Sequence, residues 1–348
     1  MAKSILGIDI GYDSMKLALV KGGKVKKSAE VPMPKNLLRA GRVVSTESMG
    51  ELIRTTMKQY GIRCPRAALV LPNEAVFVRN VLMPVMTADQ LKYNLPFEFR
   101  DYITEELKNY VFDYAMISTA EEIKAATRAS KAAKEAGDGD ETAAGSSMEL
   151  IAVAAQQSLI EDAREYTRKA GLKLVKAAPT VSCYQALIRA RTVPGGPPEE
   201  YCILDLGYQA IRMYMFRGER HIVTRELEVG LRSLISAIAD AASVDEHLAH
   251  TYLLENYQDW QNNPVCQNAY ENISVELIRA LNFYRFSNPD SRLEDLYLTG
   301  GGSMIRPLRK VIADTVGIRV HAPVELVPDG ADVPGVHGLV QAIGVTMN

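Results

Sequence analysis

The sequence predicts an α/β protein of two related lobes around one cleft, with a small α+β insert in the first lobe. Three observations carry this expectation. A strand–turn–strand segment that opens the chain returns at Tyr201. A Pro- and Gly-rich stretch, Val193–Pro198, separates the two copies. A run of three glycines, Gly300, Gly301 and Gly302, joins a short apolar strand to a helix late in the second half. A length of 348 residues suits two lobes, at roughly 150 residues per domain.

The first lobe is expected over residues 1–64 and 148–194. Ile5–Ile10 and Met15–Val20 are apolar runs around Gly11-Tyr12-Asp13-Ser14, which is the pattern of a hairpin. A third strand follows over Lys24–Val31, closed by Pro32 and Pro34. Met49, Leu52, Ile53 and Met57 recur at helical spacing within Thr46–Tyr60, and Gly61 ends that helix. Residues 65–118 read as the insert. It has strands at Ala67–Leu71 and Ala75–Leu82, a helix after Thr87 with Asp89 and Gln90 in its first turn, a restart at Pro96, and a strand at Tyr110–Ile117.

Residues 119–147 are rich in Ala, Lys, Glu, Gly and Ser without apolar periodicity, which predicts a flexible, solvated excursion. Leu150–Ala154 resumes a strand, and helices over Ser158–Ala170 and Thr180–Arg191 complete the first lobe. The second lobe is expected over 195–348. It has strands at Tyr201–Leu206, Ile211–Phe216, His221–Leu227 and Leu296–Leu298, a helical subdomain over 236–292, and helices at Ser303–Asp314 and Gly335–Val345.

Bulk composition excludes several function classes. With 40 basic and 42 acidic residues the net charge is -2, so nothing points to nucleic acid or to an anionic membrane surface. The four cysteines, Cys64, Cys183, Cys202 and Cys266, are scattered and show neither zinc nor redox spacing. Asp9 interrupts the first apolar run, which argues against a signal peptide, and no apolar stretch is long enough to span a bilayer. A cytoplasmic protein that reaches membranes only through a partner is expected. His247 and His250 lie three apart on a helix without an acidic or Cys companion and are rejected as a metal site.

The repeat carries the chemistry. Residues 5–20 align without gaps on residues 201–216, pairing Asp9 with Asp205, Gly11 with Gly207, Tyr12 with Tyr208 and Lys16 with Arg212. A glycine after a strand permits a tight turn whose backbone N–H groups can face phosphate oxygens. An Asp at each strand end can hold Mg²⁺ through water, because this ion keeps much of its hydration shell. Lys16 can reach phosphate as a point charge and Ser14 can donate a hydrogen bond; Arg212 either follows Lys16 or extends to solvent. The loop Gly300-Gly301-Gly302-Ser303 offers bare backbone to a flat ring or ribose. The candidate ATP and Mg²⁺ site is therefore Asp9, Gly11, Tyr12, Ser14, Lys16, Asp205, Gly207, Gly300, Gly301, Gly302 and Ser303, with the metal at Asp9 and Asp205.

Together these motifs resemble the actin-like (ribonuclease H-like) ATPase superfamily of actin, Hsp70 and sugar kinases. Pro65–Pro84, Gln90–Phe99, Tyr102-Ile103, Val111–Tyr114 and His221–Gly230 narrow the resemblance to the PilM family of type IV pilus assembly, related to FtsA. The resemblance spans nearly the whole chain outside 119–147. It implies ATP binding in the cleft and capture of the N-terminal cytoplasmic tail of PilN, a membrane protein, on the insert and neighbouring lobe. Leu91, Leu95, Phe97, Phe99 and Tyr102 are the expected groove, with core packing of the aromatics as the alternative. Self-association stays open.

Relatives often carry Thr or Ser after the second Asp-x-Gly, where this chain has Tyr208-Gln209-Ala210. The stretch Ala178–Cys183 offers no carboxylate to orient a water, and Gln185 is the nearest substitute. Slow or absent ATP hydrolysis is expected. A small-molecule kinase would need a catalytic Asp in the first lobe, and only Asp162 lies between Leu150 and Arg191. An FtsA-like division filament protein would end in an amphipathic membrane helix, which Gly335–Asn348 does not resemble.

Overall fold

The computed structural model describes residues 4–118, 147–190, 199–328 and 333–347, together with residues 121, 124, 125 and 128. Of the expected excursion over 119–147 only residues 121, 124, 125, 128 and Ser147 are described, and the linker Val193–Pro198 lies outside the described residues.

The first sheet has the order β10-β6-β1-β2-β3. Its strands are β1 (Ile5–Ile10), β2 (Ser14–Lys21), β3 (Lys24–Pro32), β6 (Arg66–Leu71) and β10 (Lys173–Pro179). The second has the order β13-β12-β11-β14-β15, from β11 (Glu200–Leu206), β12 (Ile211–Arg217), β13 (Arg220–Leu227), β14 (Asp295–Thr299) and β15 (Arg319–His321). In each, an antiparallel three-strand meander is extended by two parallel strands. The repeat thus covers whole sheets, five strands against five. β4 (Leu38–Arg39) and β5 (Arg42–Val43) form a small separate ribbon.

Helices cover the outer faces. α1 (Thr46–Gln59) starts at Ser45, whose hydroxyl accepts from the Ser48 N–H, and buries Met49 and Ile53 on the first sheet. α3 (Gln157–Lys169) packs beside it. In the second lobe, α5 (Leu231–Ala242), α6 (Glu246–Leu254) and the long α7 (Pro264–Ser287) bury Leu234, Ile238, Leu253 and Leu277 in one cluster, with α8 (Arg306–Val316) alongside.

Two helices lie between the sheets. α4 (Thr180–Ala190) and α9 (Val336–Gly344) pack on one another and bury Tyr184, Leu187, Leu339 and Ile343 against Ala18 and Val20 of the first sheet and Tyr201, Ile203 and Tyr214 of the second. The C-terminal helix, expected in the second lobe, thus also joins the first through β1 and β2.

The insert differs from its sequence reading in two strands. β6 pairs with β1 and β10 in the first lobe. The insert sheet is instead β7 (Val76–Pro84), β9 (Ser147–Gln156) and β8 (Tyr110–Met116), in that order. An apolar run looks the same whichever sheet it joins, so composition could not assign β6 and β9. α2 (Ala88–Asn94) has the expected capping box between Thr87 and Gln90 and packs on this sheet through Leu91. A 3₁₀ turn, Leu95–Phe99, follows at Pro96.

Candidate functional site

The repeat aligns two rows of charge. Across β1-β2-β3, Asp9 stands opposite Lys16 and Lys16 opposite Glu30. Across β11-β12-β13, Asp205 stands opposite Arg212 and Arg212 opposite Glu226. Opposed residues project on one face of a sheet, so each lobe carries an acid–base–acid row. Asp9, Lys16 and Glu30 line one wall of a common cleft, with Asp205 and Arg212 on the other.

The two cations behave differently. Lys16 lies over the first turn: a Cβ on Gly11 would come within 3.3 Å of its Nζ. Among the described residues no ion pair holds it. Arg212 is buried and committed, donating through Nε to Glu226 and through Nη2 to Glu74, each at 2.7 Å. It does not extend to solvent, one of the two roles the sequence left open for it.

The two aspartates of the cleft are desolvated by the protein around them, whereas Glu30 and Glu74 remain exposed. Burial pushes Asp9 up to about 6; Lys16 opposes the shift while Asp205 and Glu30 add to it. Burial likewise raises Asp205, with Arg212 and Lys16 opposing. Asp205 is held by Gln341 of α9, whose Nε2 donates to Asp205 Oδ2 at 2.7 Å and to the Tyr184 hydroxyl at 3.0 Å.

Close approach demands glycine at the second wall. Gly300 has φ +80°, and a Cβ there would sit 2.4 Å from Asp205 Oδ1. At Gly207 a Cβ would meet the Ala210 carbonyl at 2.6 Å. Gly300 and Gly301 line the cleft. Gly302 and Ser303 do not: Gly302 packs on Leu206 and Leu231, and the buried Ser303 hydroxyl donates to the Gly300 carbonyl at 2.6 Å. They shape the loop from behind.

Other expected residues also take specific positions. Tyr12 lines the cleft while its hydroxyl accepts from the Gly41 N–H at 2.6 Å, tying the first turn to the β4–β5 ribbon. Ser14 spends its hydroxyl on Glu30, at 2.7 Å. Gln185, the substitute for a water-orienting group, is buried and donates to the Glu219 carbonyl at 3.2 Å, away from the cleft lining. Thr180, one turn earlier, lines the cleft instead. Glu30, Glu74, Asn73, Thr180 and Gln341 were not singled out from the sequence. Glu30 and Glu226 could have been found by extending the repeat through the third strand.

Glycine turns, a free lysine and desolvated, mutually repelling carboxyls fit a cation-bound polyphosphate. Among the described residues no three His, Cys, Asp or Glu side chains converge as a metal-binding group. An ion here would be held through water and phosphate rather than in a protein cage, as suits Mg²⁺.

The cleft is narrow. Its open volume is about 140 Å³, below the ~300–1,000 Å³ of common ligand pockets. The Arg212–Glu74 pair crosses between the lobes, as does a contact of Asp13 Oδ1 with His250 Nε2 at 3.4 Å.

The expected partner groove is corrected in part. Leu91, Leu95 and Phe99 are 3%, 1% and 0% exposed and form the insert core, because the insert is too small to bury its sheet without them. Phe97 and Tyr102 are exposed, each with an arginine over its ring, Arg100 at 4.1 Å and Arg79 at 3.8 Å. Trp260 is partly buried and packs against the helical cluster of the second lobe.

The model of the family described as type IV pilus assembly protein PilM matches residues 7–134 and 139–325. Among solved structures, the chain is similar to the PilM-PilN type IV pilus biogenesis complex at 23% identity, covering 98% of this chain and 97% of that one with a TM-score of 0.79. Ethanolamine utilization protein EutJ from Carboxydothermus hydrogenoformans is similar at 13% identity, with 98% and 88% covered and a TM-score of 0.58. A ROK family glucokinase from Streptomyces griseus, solved with glucose and AMPPNP, is similar at 11% identity, with 98% and 97% covered and a TM-score of 0.51. No curated protein matches the chain. The fold is the expected two-lobed actin-like one. Among the described residues no helix is long and apolar enough to cross a membrane.

Proposed function

We propose that this chain, which belongs to the PilM family of type IV pilus assembly proteins, works as a nucleotide-binding scaffold that docks the cytoplasmic tail of a PilN-like membrane protein. The observation that carries the nucleotide half is the facing pair of charged rows, with Asp9 and Asp205 on opposite walls of one cleft and Lys16 uncommitted beside Gly11. When Mg-ATP is bound, Lys16 and the first turn hold phosphate oxygens, Asp9 and Asp205 orient the water shell of the ion, and Gly300 and Gly301 leave room for the nucleoside. The ion supplies positive charge to the phosphates and relieves the repulsion between the carboxyls.

Turnover is proposed to be slow. Thr180 and Asn73 line the cleft beside the start of α4 but carry no carboxylate, Gln185 is turned away, and Glu30 already accepts from Ser14. Phosphoryl transfer to water depends on a group that positions the nucleophile.

The partner reading rests on family membership and on the similarity to a solved PilM-PilN complex. A cytoplasmic protein recruited to the inner membrane by that partner follows from it. Thermal unfolding with and without Mg-ATP tests the nucleotide half: ligand at 100 times its dissociation constant adds ~2.7 kcal/mol. An unchanged midpoint with both Mg-ATP and Mg-ADP would refute it. Retention of the protein on immobilised PilN N-terminal peptide tests the partner half.

A further inference from the structure

Positive charge gathers at the end of the first sheet that lies away from the cleft. The parallel strands β1, β6 and β10 all start at this end, and the β2–β3 hairpin turns there. The cleft lies at the other end, where Asp9, Leu71 and, just past β10, Thr180 line it. Three segments supply the charge. Residues 21–27 contribute Lys21, Lys24, Lys26 and Lys27. Residues 58–66 contribute Lys58, Arg63 and Arg66, and residues 170–173 add Lys173. Lys27 Nζ donates to the Gly61 carbonyl at 2.6 Å, which joins the first segment to the second. Arg66 stands opposite Lys173 in register, and the Lys173 N–H donates to the Pro65 carbonyl at 2.8 Å, which joins the second to the third. The three segments hold no acidic residue, in a chain where acidic residues outnumber basic ones by 42 to 40. All of these cations except Arg66 are exposed. Averaged over the chain the charges nearly cancel, but the fold segregates them.

Structural duties account for part of this charge. Lys27 and Lys58 suit the C-terminal end of α1, and Arg66 Nη2 donates to the Ser4 carbonyl at 3.0 Å. Lysines on β3, an outermost strand, also discourage pairing with another chain. Neither duty explains Arg63 or Lys173, or the exclusion of acids from all three segments. The hairpin tip is Gly22-Gly23, with φ +59° and +76°, and a Cβ on Gly23 would meet nothing within 4 Å. This tight reversal sets Lys21 and Lys24, paired across it, at the outermost point. The cations are mostly lysine, and Tyr60 is the only aromatic residue in the three segments. Nucleic-acid readers use arginine forks and aromatic platforms, whereas a lysine cluster suits a surface of diffuse negative charge. The geometry points to a direct contact between the basic end of the first lobe and the anionic headgroups of a bilayer, peripheral and electrostatic, added to the hold of the membrane partner. This rests on the partner reading only for the presence of a membrane nearby. Two weak attachments to one surface multiply, because the first raises the local concentration for the second.

Flotation of the full chain with vesicles of equal phosphatidylglycerol and phosphatidylethanolamine, against vesicles of phosphatidylcholine alone, tests this without the partner. The expected preference for the anionic vesicles is about tenfold or more at about 0.05 M salt, and it is lost at about 0.5 M, where screening is nearly complete. Lys21→Glu, Lys26→Glu and Lys173→Glu together, all at exposed positions, should lower binding to anionic vesicles by about tenfold or more, with the unfolding midpoint kept. Arg285→Glu, Arg306→Glu and Lys310→Glu together change the net charge equally at exposed positions of the second lobe and should bind as the unaltered protein does. No preference for anionic vesicles, or equal loss in both triple variants, overturns the proposal. Full release from the vesicles by duplex DNA at equal phosphate concentration reassigns the basic end to nucleic acid and overturns it too. Retention on immobilised PilN peptide without vesicle binding sinks this contact and leaves the partner reading standing. Vesicle binding without retention on that peptide does the reverse.

Discussion

Arg212 reaches across the cleft to Glu74 at 2.7 Å, although it occupies the register that in the first lobe belongs to Lys16, the cation left over the first glycine turn. The two matching register positions thus serve different ends. The consequences differ for ligand binding and for stability.

Lys16→Met should reduce Mg-ATP affinity by about 10- to 100-fold, the loss of one charged contact to phosphate, with the unfolding midpoint of the free protein nearly unchanged. Arg212→Met should instead destabilise the free protein by about 2 kcal/mol, because Glu74 and Glu226 lose a buried partner. Calorimetric titration and urea unfolding on both variants separate the two effects.

Gly300→Ala should cost roughly 2–3 kcal/mol and abolish stabilisation by nucleotide. The residue sits at φ +80°, and its Cβ would collide with Asp205 Oδ1. Gly301→Ala meets nothing nearer than Leu231 Cδ1 at 3.8 Å, so it should fold normally and serve as the control for the stability cost alone.

Asp9 and His221 should give the pH profile opposing slopes. Asp9 has a folded pKa of about 6 against an ordinary 3.8, so the folded protein keeps a proton that the unfolded chain gives up. Stability from this group therefore falls as pH rises from about 4 to about 6, by up to roughly 3 kcal/mol, and Asp9→Asn should remove that fall. Burial depresses His221 from 6.5 to about 4, so the folded protein resists protonation and stability is lost as pH falls through that window. His221→Gln should flatten this second slope. Urea midpoints at intervals between pH 4 and 7 on each variant measure both.

Phe99→Ala and Phe97→Ala should separate core from surface within one short turn. Phe99 is 0% exposed and packs on Phe112, so truncation should cost about 3–5 kcal/mol. Phe97 is 39% exposed, and its loss should stay within about 1 kcal/mol. Similar costs for both would show that the insert is packed differently.

The glycine-turn repeat made the fold and half of the site legible, because local patterns encode local structure. Gly207 and Gly300 leave no room for a Cβ, and Asp9 and Asp205 lie near the ends of apolar strands in matching positions. The reading failed where the partner is distant in sequence. Leu91, Leu95 and Phe99 could be groove or core until the area of the insert sheet was known. Gln185 and Thr180 differ by little more than a turn of α4, and only its packing between the sheets decides which one sees the cleft.

By itself, then, the chain determined its two-lobed class, the place of the two glycine turns and its family, since strand alternation, turn glycines and the repeat are all properties of neighbouring residues. The tertiary structure decided that Arg212 serves Glu74 and Glu226, that Gln341 steadies Asp205 from the C-terminal helix, and that β6 and β9 exchange the sheets expected for them. Those outcomes depend on which buried polar groups and strand edges meet across long sequence separations. A buried charge takes whatever partner the assembled lobes bring within reach, and no local pattern specifies that partner.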